Sequence, residues 1–337
     1  MTRKLAVLAA AVAATASALA VPTAAEAKTG AASAASAQIR YAWVKSCPKK
    51  DYTVPCGSWT LALRDGKTRK LTDARVNPVT ASGKVDKDMV STLAISGDGQ
   101  NVAYFRKSDN KLVVRDLAAN RVRVLPGKAA LVPKGIGMGD VAATLSPDGD
   151  SVVIEYQDDA GKLPSLLVDM NAGKVTKIRA NVDVQGFSPD GHHILASRYT
   201  SENTTELVVF DESGATTGRK VVPQVIANNM PQALANDGNT VAVMISTSGG
   251  KQRVRVYDLA SDTVGDAVNV NTPKNESPHR LSWDDSDNLT LWQLRNDAEG
   301  NTTGIVRRSL DPTSGATKKA DTCTITSKMY MWWLPGE

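Results

Sequence analysis

Apolar positions along this chain fall in short runs rather than long stripes. Val152-Val153-Ile154-Glu155-Tyr156, Leu166-Leu167-Val168 and Val241-Ala242-Val243-Met244-Ile245 are aliphatic and β-branched runs bounded by Gly, Asp and Asn. Val254-Arg255-Val256-Tyr257 alternates apolar and polar positions. Both patterns predict strands. No stretch sustains the 3.6-residue period of an amphipathic helix. An all-β chain of many short strands with Asp/Gly turns folds as a sandwich, a barrel or a propeller.

The runs recur in a fixed order, which decides among those three. An apolar run leads into a Pro-Asp-Gly turn, a second run follows, a third ends in Asp, and a short strand closes the unit. The clearest turns are Leu145-Ser146-Pro147-Asp148-Gly149 and Phe187-Ser188-Pro189-Asp190-Gly191. Ile95-Ser96-Gly97-Asp98-Gly99 and Leu234-Ala235-Asn236-Asp237-Gly238 are weaker copies. A repeat of this length is the signature of a ring or array of like units. The third run ends at Asp65, Asp116, Asp169, Asp211, Asp258 and Asp311. Each carboxylate is expected to accept backbone N–H bonds in the turn that follows.

The first run of each unit supplies a second count. Its large apolar residue is Ile95, Leu145, Phe187, Leu234 or Trp283, one fewer than the Asp residues. The unit from Ile39 to Leu71 lacks a first strand. Met329-Tyr330-Met331-Trp332-Trp333-Leu334-Pro335-Gly336 supplies it from the far end of the chain, with Trp333 in register with Phe187. The spacings between these six positions are 50, 42, 47, 49 and 50 residues. The expected fold is a six-bladed β-propeller of four-stranded antiparallel blades, closed by the C-terminal strand completing the first blade. Closure removes the open sheet edges.

The Ser-Pro-Asp-Gly turns at 146–149 and 188–191, with the strands after them, resemble the repeat of TolB-like, WD-repeat-like (PD-type) secreted β-propellers. The resemblance covers residues 39–335. The motif is clear in two blades, eroded in two, and barely present at Trp283-Asp284-Asp285-Ser286. It implies a secreted or periplasmic interaction platform, without naming a partner.

The first residues give an address. Arg3 and Lys4 precede an Ala/Leu/Val-rich run from Leu5 to Ala20, and Ala25-Glu26-Ala27 places small residues where a signal peptidase reads. Residues 1–27 are expected to be a signal peptide of bacterial type, cleaved after Ala27. The apolar run is short for a bilayer span, which needs about 20 residues. Arg3-Lys4 is not a twin arginine, so the export route stays open. Residues 28–37 read as a flexible lead-in and 38–337 as the propeller domain. Cleavage lowers the formal charge from +5 to +4, with no basic block. Nucleic acid is therefore not expected as a partner. Export makes a disulfide plausible. Cys47–Cys56 would pin a hairpin loop of the first blade. Cys323 with either one would instead staple the last blade to the first, and an odd cysteine remains in both cases.

Catalytic motifs are missing from the sequence. There is no Gly-x-Ser-x-Gly and no His-Glu-x-x-His. His192 and His193 follow a turn and read as solvent-facing; no metal or cofactor is expected. The loops before the inner strands, Asn269 to His279 among them, gather at one channel mouth in a propeller, where Asp88, Asp140, Asp183, Asn229 and His279 would form a ring. Trp332 stands where the other blades carry Ala94, Thr144, Gly186, Ala233 and Ser282, so it either narrows the channel or fills a seam. These six residues are the candidate contacts of a protein or peptide partner from the cell envelope or secretome. The chain is read as a non-catalytic, monomeric binding module. The alternatives are an extracellular lyase or hydrolase acting on a glycan or cyclic peptide, and a structural envelope protein without a ligand.

Overall fold

The computed structural model describes residues 38–158, 161–247, 249–284 and 286–337. The expected signal peptide, its expected cleavage after Ala27 and the expected lead-in 28–37 lie outside the described residues. Six antiparallel sheets follow one another along the chain. The first blade contains β1 (Ile39–Lys49), β2 (Tyr52–Leu63) and β3 (Thr68–Leu71). The second runs from β4 (Leu93–Ile95) to β7 (Arg121–Val124), and the third from β8 (Val141–Leu145) through β9 (Ser151–Tyr156) to β11 (Lys174–Lys177). The fourth runs from β12 (Asp183–Phe187) to β15 (Thr216–Val221). The fifth begins with β16 (Gln232–Leu234) and includes β18 (Gln252–Asp258). The sixth runs from β21 (Glu276–Trp283) through β22 (Leu289–Asn296) and β23 (Thr302–Leu310) to β24 (Thr317–Thr324). The last strand, β25 (Met329–Trp333), returns to the first blade and pairs with β1, Ala42 facing Trp333 and Lys45 facing Met329. The ring is an all-β six-bladed propeller closed by its C-terminal strand, as the repeat spacing requires.

Each blade is apolar on both faces, so the hydrophobic core is divided into seams between neighbouring blades. Phe105 and Val114 of the second blade meet Ile154 and Val168 of the third. Trp59 and Leu61 of the first meet Ile95 and Tyr104 of the second. Trp283 packs against Ala242 and Met244 across the fifth seam, and its Nε1 donates to Ala233 O at 3.1 Å. Fully burying one such aliphatic or aromatic side chain contributes about 1.5–3 kcal/mol.

The turns explain the Ser-Pro-Asp-Gly pattern. Ser146 Oγ donates to Asp148 Oδ1 at 2.6 Å and accepts the Ser151 N–H at 2.9 Å. Ser188 and Ser96 repeat this arrangement with Asp190 and Asp98. The buried hydroxyl thus links the turn carboxylate to the start of the second strand. Gly149 takes φ +75°, and a Cβ there would come within 2.5 Å of Asn101. Glycine is required both by the left-handed backbone and by the neighbouring blade. The sixth blade, where the motif is weakest, keeps the carboxylate: Asp284 Oδ1 accepts from Ser286 N and Asn288 N at 2.9 and 3.0 Å. The six strand-ending Asp residues all accept backbone N–H bonds within their own turns.

Three sequence expectations need correction. The stretch from Asn269 to His279 is not all loop. The outer strand of the fifth blade is split into β19 (Thr263–Val264) and β20 (Val268–Val270), both paired with β18, so Asn269 lies opposite Arg253. His279 lies within β21 rather than before it, because that strand starts early, at Glu276. His193 is half-buried against Gly238 of the next blade, while His192 alone faces solvent.

The disulfide joins Cys47 to Cys56, with Cα atoms 6.0 Å apart, and Cys323 is a free thiol. The bridge ties β1 to β2 beyond the part of the hairpin that β25 covers.

Two outcomes are expected. A chain ending at Lys328 lacks β25 and loses its cooperative thermal transition by circular dichroism. Replacing Cys47 and Cys56 together by Ser retains the fold but lowers unfolding free energy by about 2–3 kcal/mol in urea titration, the chain-entropy value for so short a loop.

Candidate binding face

The propeller has two unlike faces. The Asp-Gly turns gather on one, here the turn face. The connections between blades and the second-to-third strand loops gather on the other, the loop face. The Cys47–Cys56 hairpin rises on the loop face. Its Lys49 Nζ donates to Asp88 Oδ1 at 2.6 Å, and Tyr330 OH donates to the Asp88 carbonyl at 2.9 Å. Asp88 therefore ties the first interblade loop to the hairpin and to the closing strand.

The other residues of the expected ring have local partners. Asp140 Oδ2 accepts the Gly137 N–H at 2.7 Å and caps a short turn before β8. Asp183 opens β12, is exposed, and accepts from Gln185 Nε2 at 2.9 Å. Asn229 donates to Val225 O at 2.9 Å, and its carbonyl accepts from the buried Gln232 side chain at 3.1 Å. His279 and Trp332 are brought together, with ring centroids 5.3 Å apart, edge to face. Trp332 packs beside Trp292, Ile305 and Leu334 in the seam between the last and first blades. His279 Nε2 lies 2.7 Å from Glu337 Oε1, but is not aligned with it as a hydrogen bond.

Exposed apolar side chains on the same face have no counterpart in the sequence reading. Tyr199 is 86% exposed, Met89 and Met230 are each 54% exposed, and Tyr52 is 50% exposed. Val85, Leu131 and Met331 join them. Val85, Met89, Leu131 and Met230 stand in interblade loops, Tyr52 and Tyr199 at the loop-face ends of strands, and Met331 in the middle of β25; Val124, Val175 and Val221, also exposed, lie on outer strands. Between the second and third blades, Leu131, Val132, Pro133, Pro164 and Val175 line an apolar cleft of about 710 Å³ flanked by Lys128 and Lys177, which runs from the loop face down the outer edge of the third blade to Gly173. A sequence signal did exist at Met230, a large apolar residue set between Asn229 and Pro231 where no strand period calls for it; Tyr199 ends the second strand of the fourth blade, before Thr200 and Ser201.

The turn face carries a polar cleft between the third and fourth blades, lined by Asp148, Asp150, Asp169, Asp190 and Glu212 among others. His192 Nδ1 lies 2.7 Å from Glu212 Oε2 there. Among the described residues, no group of three or more His, Cys, Asp or Glu side chains is placed to hold a metal ion. No helix of the described residues is long and apolar enough to cross a membrane.

One carboxyl near the loop face is strongly perturbed. Glu155 on β9 accepts the Val184 N–H at 2.9 Å across the seam between the third and fourth blades. Burial, helped by the nearby Asp183 charge and opposed by that hydrogen bond, pushes it up to about 7. Burial likewise pushes the Cys323 thiol up to about 11, so it is protonated and poorly nucleophilic at neutral pH.

No protein-family model and no curated protein sequence matches the chain. Solved structures do. TolB from Acinetobacter baumannii superposes with a TM-score of 0.50 at 15% identity, over 89% of this chain and 67% of that one. A puromycin-hydrolyzing peptidase from Mycobacterium tuberculosis gives 0.45 at 15% identity, over 86% of this chain and 54% of that one. The Cps50 (Swd1) β-propeller domain of Myceliophteria thermophila gives 0.39 at 16% identity, over 68% and 70%. The architecture is that of a six-bladed β-propeller, and the likeness to TolB at 15% identity is one of fold.

Glu155 yields a pH prediction. Its folded value lies above the ordinary 4.5, so the folded state holds the proton more tightly. Its contribution to stability is complete below about pH 4.5 and is lost as pH rises through about 7. Glu155→Gln lacks that loss. The stability of the variant relative to wild type should therefore rise between about pH 4.5 and pH 8, by roughly 2–3 kcal/mol in paired urea titrations.

Proposed function

We propose that this protein is an exported, non-catalytic docking module that binds a protein or peptide partner of the cell envelope or secretome on its loop face. The observation that carries this reading is that the five most exposed large apolar side chains share one face. Tyr52, Met89, Leu131, Tyr199 and Met230 stand on the loop face, whereas Asp-Gly turns cap the turn face. Aromatic and methionine side chains held at the surface of a rigid scaffold suit protein recognition. The apolar cleft beside Leu131 would take side chains of the partner, and Lys128 and Lys177 would favour an acidic rim on it. Export is supported by the N-terminal signal pattern and by the Cys47–Cys56 disulfide, which persists in oxidising compartments. Relative to the ring expected from sequence, the contact surface moves outward. Asp88, Asp140 and Asn229 shape the loops, Asp183 stays available at the mouth, and Trp332 and His279 occupy the closing seam.

The test is affinity capture from the native envelope and secreted fractions with residues 28–337 as bait. Tyr199→Asp and Met89→Asp run in parallel, with His192→Ala as the turn-face control. Both loop-face substitutions are at exposed positions, so stability should change by no more than about 0.5 kcal/mol. A partner held by wild type and control, and bound about thirtyfold more weakly by either Asp variant, supports the reading at the scale of an interface hot spot. A partner retained by both Asp variants, or lost with the His192 control instead, refutes the loop face as the docking surface.

A further inference from the structure

The seam between the sixth and first blades is built unlike the other five. Among the described residues its buried apolar cluster holds Trp292, Ile305, Ile325 and Leu334, with Tyr41, Leu294, Met329 and Trp332 partly buried against it, while the other seams each bury between 8 and 16 such residues. Guanidinium groups stand where hydrocarbon is short. Arg64 from the turn after β2, Arg280 from β21 and Arg307 from β23 line one cavity of about 280 Å³. Trp292 supplies flat apolar wall within the seam, and the cavity runs inward to the turn-face mouth of the central channel, where Gly97, Pro147, Phe187 and Pro189 of the second, third and fourth blades line it.

These three half-buried cations are in no ion pair among the described residues, unlike the arginines that flank the ring's buried glutamates. Glu276 is buried between Arg295 at 3.0 Å and Arg308 at 2.7 Å, and Glu206 between Arg198 and Arg219. In the closing seam, Arg64 Nε and Arg307 Nε are buried without a hydrogen-bond partner among the described residues. Arg280 gives one donor to Pro335 O at 2.6 Å. Burial, and then the neighbouring Arg307 charge, push the Arg64 guanidinium below its usual range, and burial does the same to Arg280 against the opposing Glu337. Two carboxylates, Asp98 and Asp284, line the cavity as well, and each turns one oxygen back on its own turn. Asp98 Oδ1 holds Ser96 Oγ and Gln100 N, Asp284 Oδ1 holds two turn N–H groups, and Asp321 is held by Arg40 at 2.8 Å. A buried donor with no counter-charge is costly, and an anion removes that cost. The Arg307 guanidinium is already oriented, 5.6 Å from the centre of the Trp292 ring.

We propose that the closing seam is a binding site for a small anion with a flat apolar body, for which aryl phosphates and aryl carboxylates are the simplest representatives. The guanidinium fork matches either head group in two-point contact. The aromatic and proline walls match the body. The site opens on the face opposite the proposed docking surface, so the two assignments stand or fall separately. Occupancy joins the last blade to the first, so ligand raises the melting temperature of the whole ring.

The experiment titrates purified residues 28–337 with phenyl phosphate, benzoate and inorganic phosphate at matched ionic strength. Tryptophan fluorescence, reporting through Trp283 and Trp292, and thermal melting are the readouts. Saturable binding is expected, with phenyl phosphate tighter than inorganic phosphate. Arg64→Gln and Arg307→Gln should each weaken it at least about tenfold, the effect of losing one charge-assisted contact. Arg307→Lys should fall between, and Arg121→Gln, at an exposed position on the second blade, should match wild type. A second readout needs no variant: the arginine Nε–H resonances of Arg64 and Arg307 should move on titration of the wild-type protein. Failure of all three probes to bind saturably overturns the proposal. So does binding that survives both glutamine substitutions, or a titration that moves neither resonance.

Discussion

The pairing of β25 with β1 is the contact on which the rest of this molecule depends. A four-stranded blade with two apolar faces cannot bury both alone, so each blade is stable only between two others. An open row of six would leave an uncovered face at each end. The bonds from Trp333 to Met329 along β1 convert that row into a ring. The residues just beyond extend the closure: Gly336 N donates to Ile95 O, and Ile95 N to Glu337 O, each at 2.6 Å. Stability of the first seam and of the last are thereby linked through a stretch of nine residues. The thin packing of the closing seam makes that link the weakest part of the ring.

Much of the architecture was legible because the turn chemistry is local. An Asp that accepts N–H bonds two and three residues onward needs no distant partner, so its recurrence at Asp65, Asp116, Asp169, Asp211, Asp258 and Asp311 reports the fold directly. The missing first strand of the first unit and the surplus one at Met329 could be matched by register alone. Where a distant strand decides, the sequence fell silent. Asn269 looks like loop until Arg253 pairs with it. His193 follows a turn like any surface residue, yet the neighbouring turn at Gly238 covers it. The candidate site was less legible still. Asp140 and Asn229 are polar residues in the expected loops, but they hold those loops together. The exposed Met230 carries no periodic signal, and Tyr199 ends its strand with nothing in the sequence to mark it as exposed. Arg64, Arg280 and Arg307 meet only because the ring brings the end of the chain back to its beginning.

The two faces divide chemistry as well as shape. On the turn face, carboxylates point back at their own backbone, and the neighbouring turns interlock: Asp98 N donates to Pro147 O, and Asp190 N to Asn236 Oδ1, both at 2.9 Å. That lattice leaves little freedom to adapt. The loop face is built from longer connections whose apolar side chains have no internal partner. Variation in loop residues can therefore change what is bound without disturbing the seams below.

Ile39 begins at the turn face, where its N–H donates to Gly99 O at 2.7 Å, and Glu337 finishes at that same face beside Ile95. Both ends of the ring thus depart side by side from one surface. Anything joined to either end, whether a surface, a bead or another domain, holds the turn face toward itself. The loop face then points outward whichever end carries the tether, so orientation is a property of the ring and not of the attachment.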